Sequence, residues 1–283
     1  MTVAQPTSSA SSSVVGLLRA CHFQPMVAVV LLTTALAALN HRSAIGCLSV
    51  ASAVLAGQLS TGWSNDWFDA DRDRQVDRQD KPIVAGQVSV GTVRAAALCA
   101  IVAVVPLSLL SGWRATLVHV VAIASAWSYN AGLKATALSP APYALSFALL
   151  PAFVALGPPT WAWPQPAIMI ATGLLGVGAH FINTLADRQD DQTTGIRGLP
   201  QRMSASGALL VGVALLAGCA AAIRSLGGRW PMVEDLLLVG CLLIDLAVVA
   251  TTLRQRARTA WSLTLASVVC CLALYAVIRP PLT

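Results

Sequence analysis

Apolar residues in this chain neither alternate nor keep to one helical stripe; they run on without interruption. Stretches near the ~20 residues needed to cross a hydrocarbon core fall at 24–40, 43–63, 89–111, 114–133, 138–157, 166–186, 206–223, 232–253 and 260–278. Read as helices, they predict an all-α polytopic membrane protein with nine transmembrane spans. Residues 1–13, rich in Ser, Thr and Ala, read as a disordered cytoplasmic tail, and 14–283 as one transmembrane unit. The first run, with Arg19 before it and Ala35-Leu36-Ala37 near its end, shares features with a secretory signal. The further runs behind it favour an uncleaved first helix.

Composition excludes an ordinary soluble domain, since 56% of residues are hydrophobic and 11% charged. Cytoplasmic loops retain Lys and Arg, which orients the chain. With the N-terminus inside, 13 of the 18 basic residues fall on the cytoplasmic side. Trp113, Trp161, Trp163 and Trp230 then lie at the opposite interface. The expected location is the cell (inner) membrane, with attraction to anionic lipid accounting for the net charge of +6. Nucleic-acid binding is not indicated, and no protein partner is inferred. The 7 cysteines lie in or beside apolar runs without CxxC spacing, so they read as small packing residues.

Most of the 12 acidic residues gather in two clusters. The first is Asn65-Asp66-Trp67-Phe68-Asp69-Ala70-Asp71-Arg72-Asp73, with Asp77 and Asp80 behind it; the second is Asn183-Thr184-Leu185-Ala186-Asp187-Arg188-Gln189-Asp190-Asp191. Each repeats a side-chain oxygen every fourth residue, at Asn65, Asp69, Asp73 and at Asn183, Asp187, Asp191. On a helix such a set forms one column rising about 12 Å over two turns. Two columns facing each other across a cavity, one per pseudo-repeat (65–73 and 183–191), require cations between them. Magnesium takes oxygen ligands and is commonly shared between one or two carboxylates and substrate phosphates. A magnesium-bridged diphosphate fits such a site where bare phosphate would be repelled. Nearby Arg72, Arg74, Arg78, Lys81, Lys134, Arg188, Arg197 and Arg202 can complete the cage, although topology alone also accounts for their presence. Solvated mixed-charge loops explain the polarity but not the repeated spacing. Transporters bind near the bilayer midplane rather than at one face.

At these residues the chain resembles the UbiA-type family of intramembrane prenyltransferases. The NDxxDxxxD motif stands at Asn65–Asp73, followed by Lys81-Pro82-Ile83-Val84-Ala85-Gly86; DxxxD stands at Asp187–Asp191. Tyr129-Asn130-Ala131-Gly132-Leu133-Lys134 resembles the YxxxK element with one extra residue. Arg19 resembles the N-terminal arginine, although the usual Arg-Pro is replaced by Cys21-His22-Phe23-Gln24-Pro25. The resemblance implies a nine-helix bundle around a central cavity with a cytoplasmic cap. It implies Mg²⁺ held by Asn65, Asp69, Asp73, Asp187 and Asp191, and a polyprenyl diphosphate donor. Asp69, Asp73, Asp187, Asp191 and Lys134 become the expected catalytic residues. Arg19, Asn65, Asp66, Arg78, Lys81, Tyr129, Asn183 and Arg197 become the expected substrate-binding residues.

The implied reaction is transfer of a polyprenyl group to a lipophilic or aromatic acceptor, by default a quinone or pigment precursor, with release of diphosphate. Loss of diphosphate is favoured when its growing charge is neutralised in a site of low dielectric. The allylic cation must then be kept from water, and aromatic faces stabilise it. Trp63, Trp67, Trp127, Tyr129, Tyr143 and Phe147 are candidates for that role, with ordinary packing the commoner use. Alternatives are a terpene cyclase acting on the donor alone, or a non-enzymatic isoprenoid binder or transporter. Asp245 and His180, polar residues in apolar surroundings, are expected to make structural hydrogen bonds, with a role toward the acceptor as the other option. His22, His41 and His119 show no metal-site spacing.

Overall fold

The computed structural model describes residues 10–283 and is all-α. The helices are α1 (Ala10–Ala20), α2 (Phe23–Leu39), α3 (Ala44–Gln75), α4 (Val90–Leu109), α5 (Trp113–Ala131), α6 (Pro140–Ala155), α7 (Pro166–Ala186), α8 (Arg188–Thr193), α9 (Leu199–Arg202), α10 (Ala205–Arg224), α11 (Pro231–Leu253) and α12 (Ala257–Ile278). Residues 10–13 of the expected tail form the start of α1, and the rest of that segment lies outside the described residues.

Local chemistry sets the helix starts. Ser43, Ser89 and Ser204 cap α3, α4 and α10 by accepting the amides of Gly46, Thr92 and Gly207. Proline opens α6, α7 and α11, where its missing N–H costs nothing.

Among the described residues the expected nine spans are corrected to six. The helices long and apolar enough to cross a bilayer are α3, α4, α7, α10, α11 and α12, with α1 and α2 adding a seventh only if the pair, bent by 61°, counts as one span. Three predicted runs form helices that fall short. α2 has 17 residues and α6 has 16, about 26 and 24 Å at the helical rise. α5 has 19 residues but carries Arg114, His119, Ser125, Ser128 and Asn130. An apolar run shorter than a span can instead be a buried core helix. α6 illustrates this: Leu149 through Ala155 are all buried within protein.

Neighbouring helices form a closed succession. α3 packs on α2, α4 and α5; α5 on α6; α6 on α7; α7 on α10; and α11 on α12, which returns to touch α2 and α7. The main core includes Val50, Val54, Phe153, Leu216 and Leu274. Lipid removes most of the hydrophobic drive for helix association, so close approach through small residues takes its place. A Cβ on Gly178 of α7 would stand 2.9 Å from the Gly212 carbonyl of α10, which shows how near these backbones run.

The 32 residues of α3 make it about 48 Å long, against a hydrocarbon core of about 30 Å. Its polar last turns therefore stand beyond the lipid. The first acidic motif rides on that extension.

Candidate active site at the ends of α3 and α7

Past Trp63 the sequence of α3 turns polar while helical geometry continues, so Asn65, Asp69 and Asp73 remain on one face. Asp66, Asp69 and Asp73 are buried at 2%, 4% and 2% exposure, an unusual burial for carboxylates that requires partners. The second motif is less regular. α7 ends at Ala186 and Asp187 leaves helical geometry, while Asp191 lies in α8. The bond from the Asp191 amide to the Asp187 carbonyl, 2.9 Å, carries the chain across that break.

Cations from elsewhere in the chain join the motifs. Arg72 donates from Nη2 to Asp69 Oδ2 at 3.0 Å and from Nη1 to Asp191 Oδ1 at 3.3 Å, and lies 3.6 Å from Asp73. Arg78 grips both oxygens of Asp80 at 2.8 Å and reaches Asp187 at 3.2 Å and Asp190 at 3.4 Å. Lys134, from the 3₁₀ turn Leu133–Ala135, is buried against Asp69. Lys81 donates to Asp66 at 2.7 Å, and His22 Nε2 lies 2.9 Å from the same oxygen. Gln201 donates to Asp191 at 2.8 Å. In turn, Arg188 donates to the carbonyls of Pro200, Gln201 and Met203, which fixes the segment carrying Gln201.

Burial and charge act against each other here. Burial raises the Asp191 carboxyl above its ordinary pKa, opposed by the Gln201 hydrogen bond and Arg72. Burial likewise lowers Lys134, opposed by Asp69. The Asp80 hydrogen bond holds Arg78 above its usual value, and the same bond holds Asp80 below its own.

The structure thus gathers Asp66, Asp69, Asp73, Arg78, Lys81, Lys134, Asp187 and Asp191. Asn65 sits at the edge of the group, donating to Asn130 Oδ1 at 3.3 Å. Tyr129 belongs to an aromatic cluster, meeting Tyr143 edge-on at 5.1 Å and His180 at 5.5 Å. Three expected residues stand apart. Arg19 donates to Gln87, Arg197 is exposed, and Asn183 is exposed and lines a neighbouring cavity.

Sequence reasoning did not assign His22, Gln201 or Asn130 to the site, and valued Arg72 only as one nearby cation. Asn130 stands four residues before Lys134, and Tyr129 five. Asn130 donates to the Thr61 carbonyl at 2.9 Å and to Ser64 at 2.8 Å, tying the end of α5 to α3. His22 reaches Asp66 because Gly62 admits the turn between α1 and α2. A Cβ there would stand 2.6 Å from the Cys21 carbonyl. Asp245 accepts from Ser267 at 2.7 Å, and His180 Nε2 lies 3.3 Å from Ser139 Oγ.

Fold and site together define an α-helical integral membrane protein with a buried mixed-charge cluster at one end of its bundle. The chain belongs to the UbiA prenyltransferase family, whose model matches residues 26–268. No curated protein matches the sequence. Among solved structures it is similar to an apo UbiA homolog from Aeropyrum pernix K1, at 20% identity and TM-score 0.71, covering 89% of this chain and 96% of the other. A UbiA homolog from Archaeoglobus fulgidus, bound to GPP and Mg²⁺, matches at 16% identity and TM-score 0.67, covering 91% and 99%. A digeranylgeranylglyceryl phosphate synthase matches at 15% identity and TM-score 0.65, covering 94% and 98%.

Proposed function

We propose that this protein is a magnesium-dependent prenyltransferase that moves a polyprenyl group from its diphosphate to an aromatic, quinone- or pigment-precursor acceptor. The observation that carries this reading is the cage itself. Carboxylates of both motifs and the side chains of Arg72, Arg78 and Lys134 meet within hydrogen-bonding distance at one end of an apolar bundle. Family membership and the ligands of the Archaeoglobus fulgidus homolog support it.

The donor set fits magnesium: hard oxygens on Asp69, Asp73, Asp187 and Asp191, with the Asn65 amide beside them. Among the described residues no three His, Cys, Asp or Glu side chains converge on a metal position. When bound, magnesium supplies positive charge to the diphosphate as its carbon–oxygen bond breaks.

The chain's own residues do the rest. Arg72 and Arg78 exchange carboxylate partners for phosphate oxygens, which accept the same two-pronged geometry. Lys134, buried against Asp69 and with its pKa lowered by burial, would meet the negative charge that grows on the leaving oxygen. The electron pair of that bond leaves with diphosphate. The allylic carbon then bonds to the acceptor nucleophile, whose proton passes to the released diphosphate or to water. Tyr129, Tyr143, Phe147 and the His180 ring, mutually stacked or edge-on, present faces to an allylic cation and exclude water. Deeper in the bundle, Leu32, Leu36, Leu150 and Leu175 line a small apolar pocket of about 50 Å³.

In the same reading residues 14–283 act as one unit of two pseudo-repeats, the N-terminus and both motifs face the cytoplasm, and the protein resides in the cell membrane. The clustering of Lys and Arg beside the motifs supports that orientation.

The test is diphosphate release from geranyl, farnesyl and geranylgeranyl diphosphates by purified protein in lipid, with products weighed by mass spectrometry. Release should require magnesium and fall by at least about 10²-fold in Asp69→Asn. Full turnover by both Asp69→Asn and Asp187→Asn at saturating donor would refute the assignment.

A further inference from the structure

α1 presents two unlike faces. On one, Gly16, Ala20 and the following Cys21 are buried, and Leu17 packs with Trp63 against Ile83 and Val88. Gly16 runs so near the loop after Lys81 that a Cβ on it would stand 2.8 Å from Val88 Cβ. The other face carries Val14, Val15 and Leu18, which are 58%, 54% and 58% exposed. Phe23, just past the bend into α2, is 60% exposed as well.

The depth of this exposed apolar face is set by α3. From Ala44 to Trp63 that helix carries no charge and covers about 30 Å, the thickness of the hydrocarbon core, and its polar motif begins two residues later. Trp63 therefore stands at the lipid boundary, a level at which tryptophan concentrates. α1 is tied to α3 at that level, by the Trp63 indole donating to the Leu17 carbonyl at 2.9 Å and by the Cys21 carbonyl lying against Gly62. α2 packs along α3, and α1 bends away from α2 by 61°, which turns it toward the membrane plane.

We infer that α1 is an interfacial helix seated in the headgroup–acyl boundary of the leaflet at the site's end of the bundle, and that this lipid contact holds His22 and the loop at Gln87–Val88 in place beside the acid–base cluster. A helix with one apolar face is stable at that depth. Its far side grips the site's surroundings: Gly16 meets Val88, Arg19 donates to Gln87, and His22 at its end meets Asp66, the carboxylate that Lys81 also contacts. Lipid and diphosphate site thus bear on the same short segment from opposite sides. The lipid contact is independent of the prenyl-transfer reading, whereas its effect on donor binding rests on that reading.

The experiment places p-benzoylphenylalanine at Val15 or Leu18 in full-length protein reconstituted into phosphatidylcholine–phosphatidylglycerol liposomes, and identifies the adducts by mass spectrometry after irradiation. Leu31, exposed in the middle of α2, serves as the lipid-facing reference, and Gln75, exposed about 18 Å beyond Trp63 at the end of α3, as the water-facing one. Both α1 positions should label phospholipid as Leu31 does, and Gln75 should not. A cross-linked dimer would make a second copy the occupant, and a link to residues 1–9 would make that segment the occupant; either result, or labelling no greater than at Gln75, overturns the inference. Geranyl diphosphate binding is measured in the same liposomes. Leu18→Glu should weaken it by about fivefold or more, Val15→Gln should weaken it in the same direction, and Leu18→Met should leave it intact. Unchanged binding in both polar variants overturns the coupling to the site. If no preparation binds geranyl diphosphate while both α1 positions still label lipid, the prenyl-transfer reading fails and the lipid contact stands.

Discussion

Arg72 spans the two acidic motifs, with one guanidinium nitrogen 3.0 Å from Asp69 and the other 3.3 Å from Asp191. A single cation thereby holds together segments from opposite halves of the chain. Without it, buried carboxylates repel one another and lose a charge-assisted partner. Arg72→Gln should lower stability by about 1–3 kcal/mol in metal-free lipid. Saturating magnesium should recover a good part of that loss, because the added cation restores the attraction. Thermal unfolding in nanodiscs with and without magnesium checks this, and an equal loss in both conditions would show that the clamp does not stand in for a metal.

Lys134 is buried against Asp69, where an ammonium can meet charge developing on the leaving diphosphate. Lys134→Gln should slow turnover at saturating donor by about 10²–10³-fold. Lys134→Arg should recover only part of it, since a planar fork does not replace a compact ammonium in this space. Single-turnover diphosphate release separates this from weakened donor binding.

The Arg78–Asp80 pair predicts a pH effect of definite sign. Asp80 has its pKa held below the ordinary carboxylate value chiefly by the Arg78 hydrogen bond. The pair therefore contributes its full stabilisation above the unfolded carboxylate range and loses it as pH falls through the depressed value. Asp80 is 61% exposed, so the contribution is below about 1 kcal/mol. Asp80→Asn should be slightly less stable at neutral pH and indistinguishable from the parent at low pH. Denaturant midpoints across that range read it directly.

Gly62 sits against the Cys21 carbonyl, and that contact sets His22 onto Asp66. Gly62→Ala must push the turn between α1 and α2 away, at a cost of about 1–3 kcal/mol. Donor KM should rise, with Lys81 left as the remaining side-chain partner of Asp66 among the described contacts. Unchanged stability and unchanged KM would mean the turn is freer than its packing indicates.

Asp245 and Ser267 join α11 to α12 through a 2.7 Å bond inside the apolar bundle. Asp245→Asn keeps an acceptor oxygen, so turnover and acceptor preference should stay within about twofold of the parent, whereas Asp245→Ala leaves the Ser267 hydroxyl unsatisfied and should lower stability by about 1–3 kcal/mol. A changed acceptor preference in Asp245→Asn would instead give this carboxyl a role at the cavity.

The sequence made the chemistry legible wherever it was local. Four-residue spacing placed Asp69 and Asp73 on one face because α3 stays helical beyond its apolar part, whereas Lys134 was reached through the family resemblance of residues 129–134. Pairings between distant segments were not legible. Nothing local ties Arg72 to Asp191, Gln201 to Asp191, or His22 to Asp66. Arg19 resembles the family's N-terminal arginine, and in the structure it donates to Gln87. The number of spans was misjudged for a related reason. Hydropathy reports that a segment avoids water, and α6 avoids it among other helices, at a length too short to bridge the lipid.

The interleaving of Arg72, Arg78, Lys81 and Lys134 among the carboxylates decides how the site looks from afar. Those four cations stand against the carboxylates of Asp66, Asp69, Asp73, Asp80, Asp187, Asp190 and Asp191, so they soften the acidic field that an anion meets without cancelling it, and the charge of magnesium would make up the shortfall. Docking then becomes a swap of partners in which ion pairs are traded and few are created. Its affinity should accordingly vary little with ionic strength, unlike that of sites which gather an anion by surplus positive charge alone.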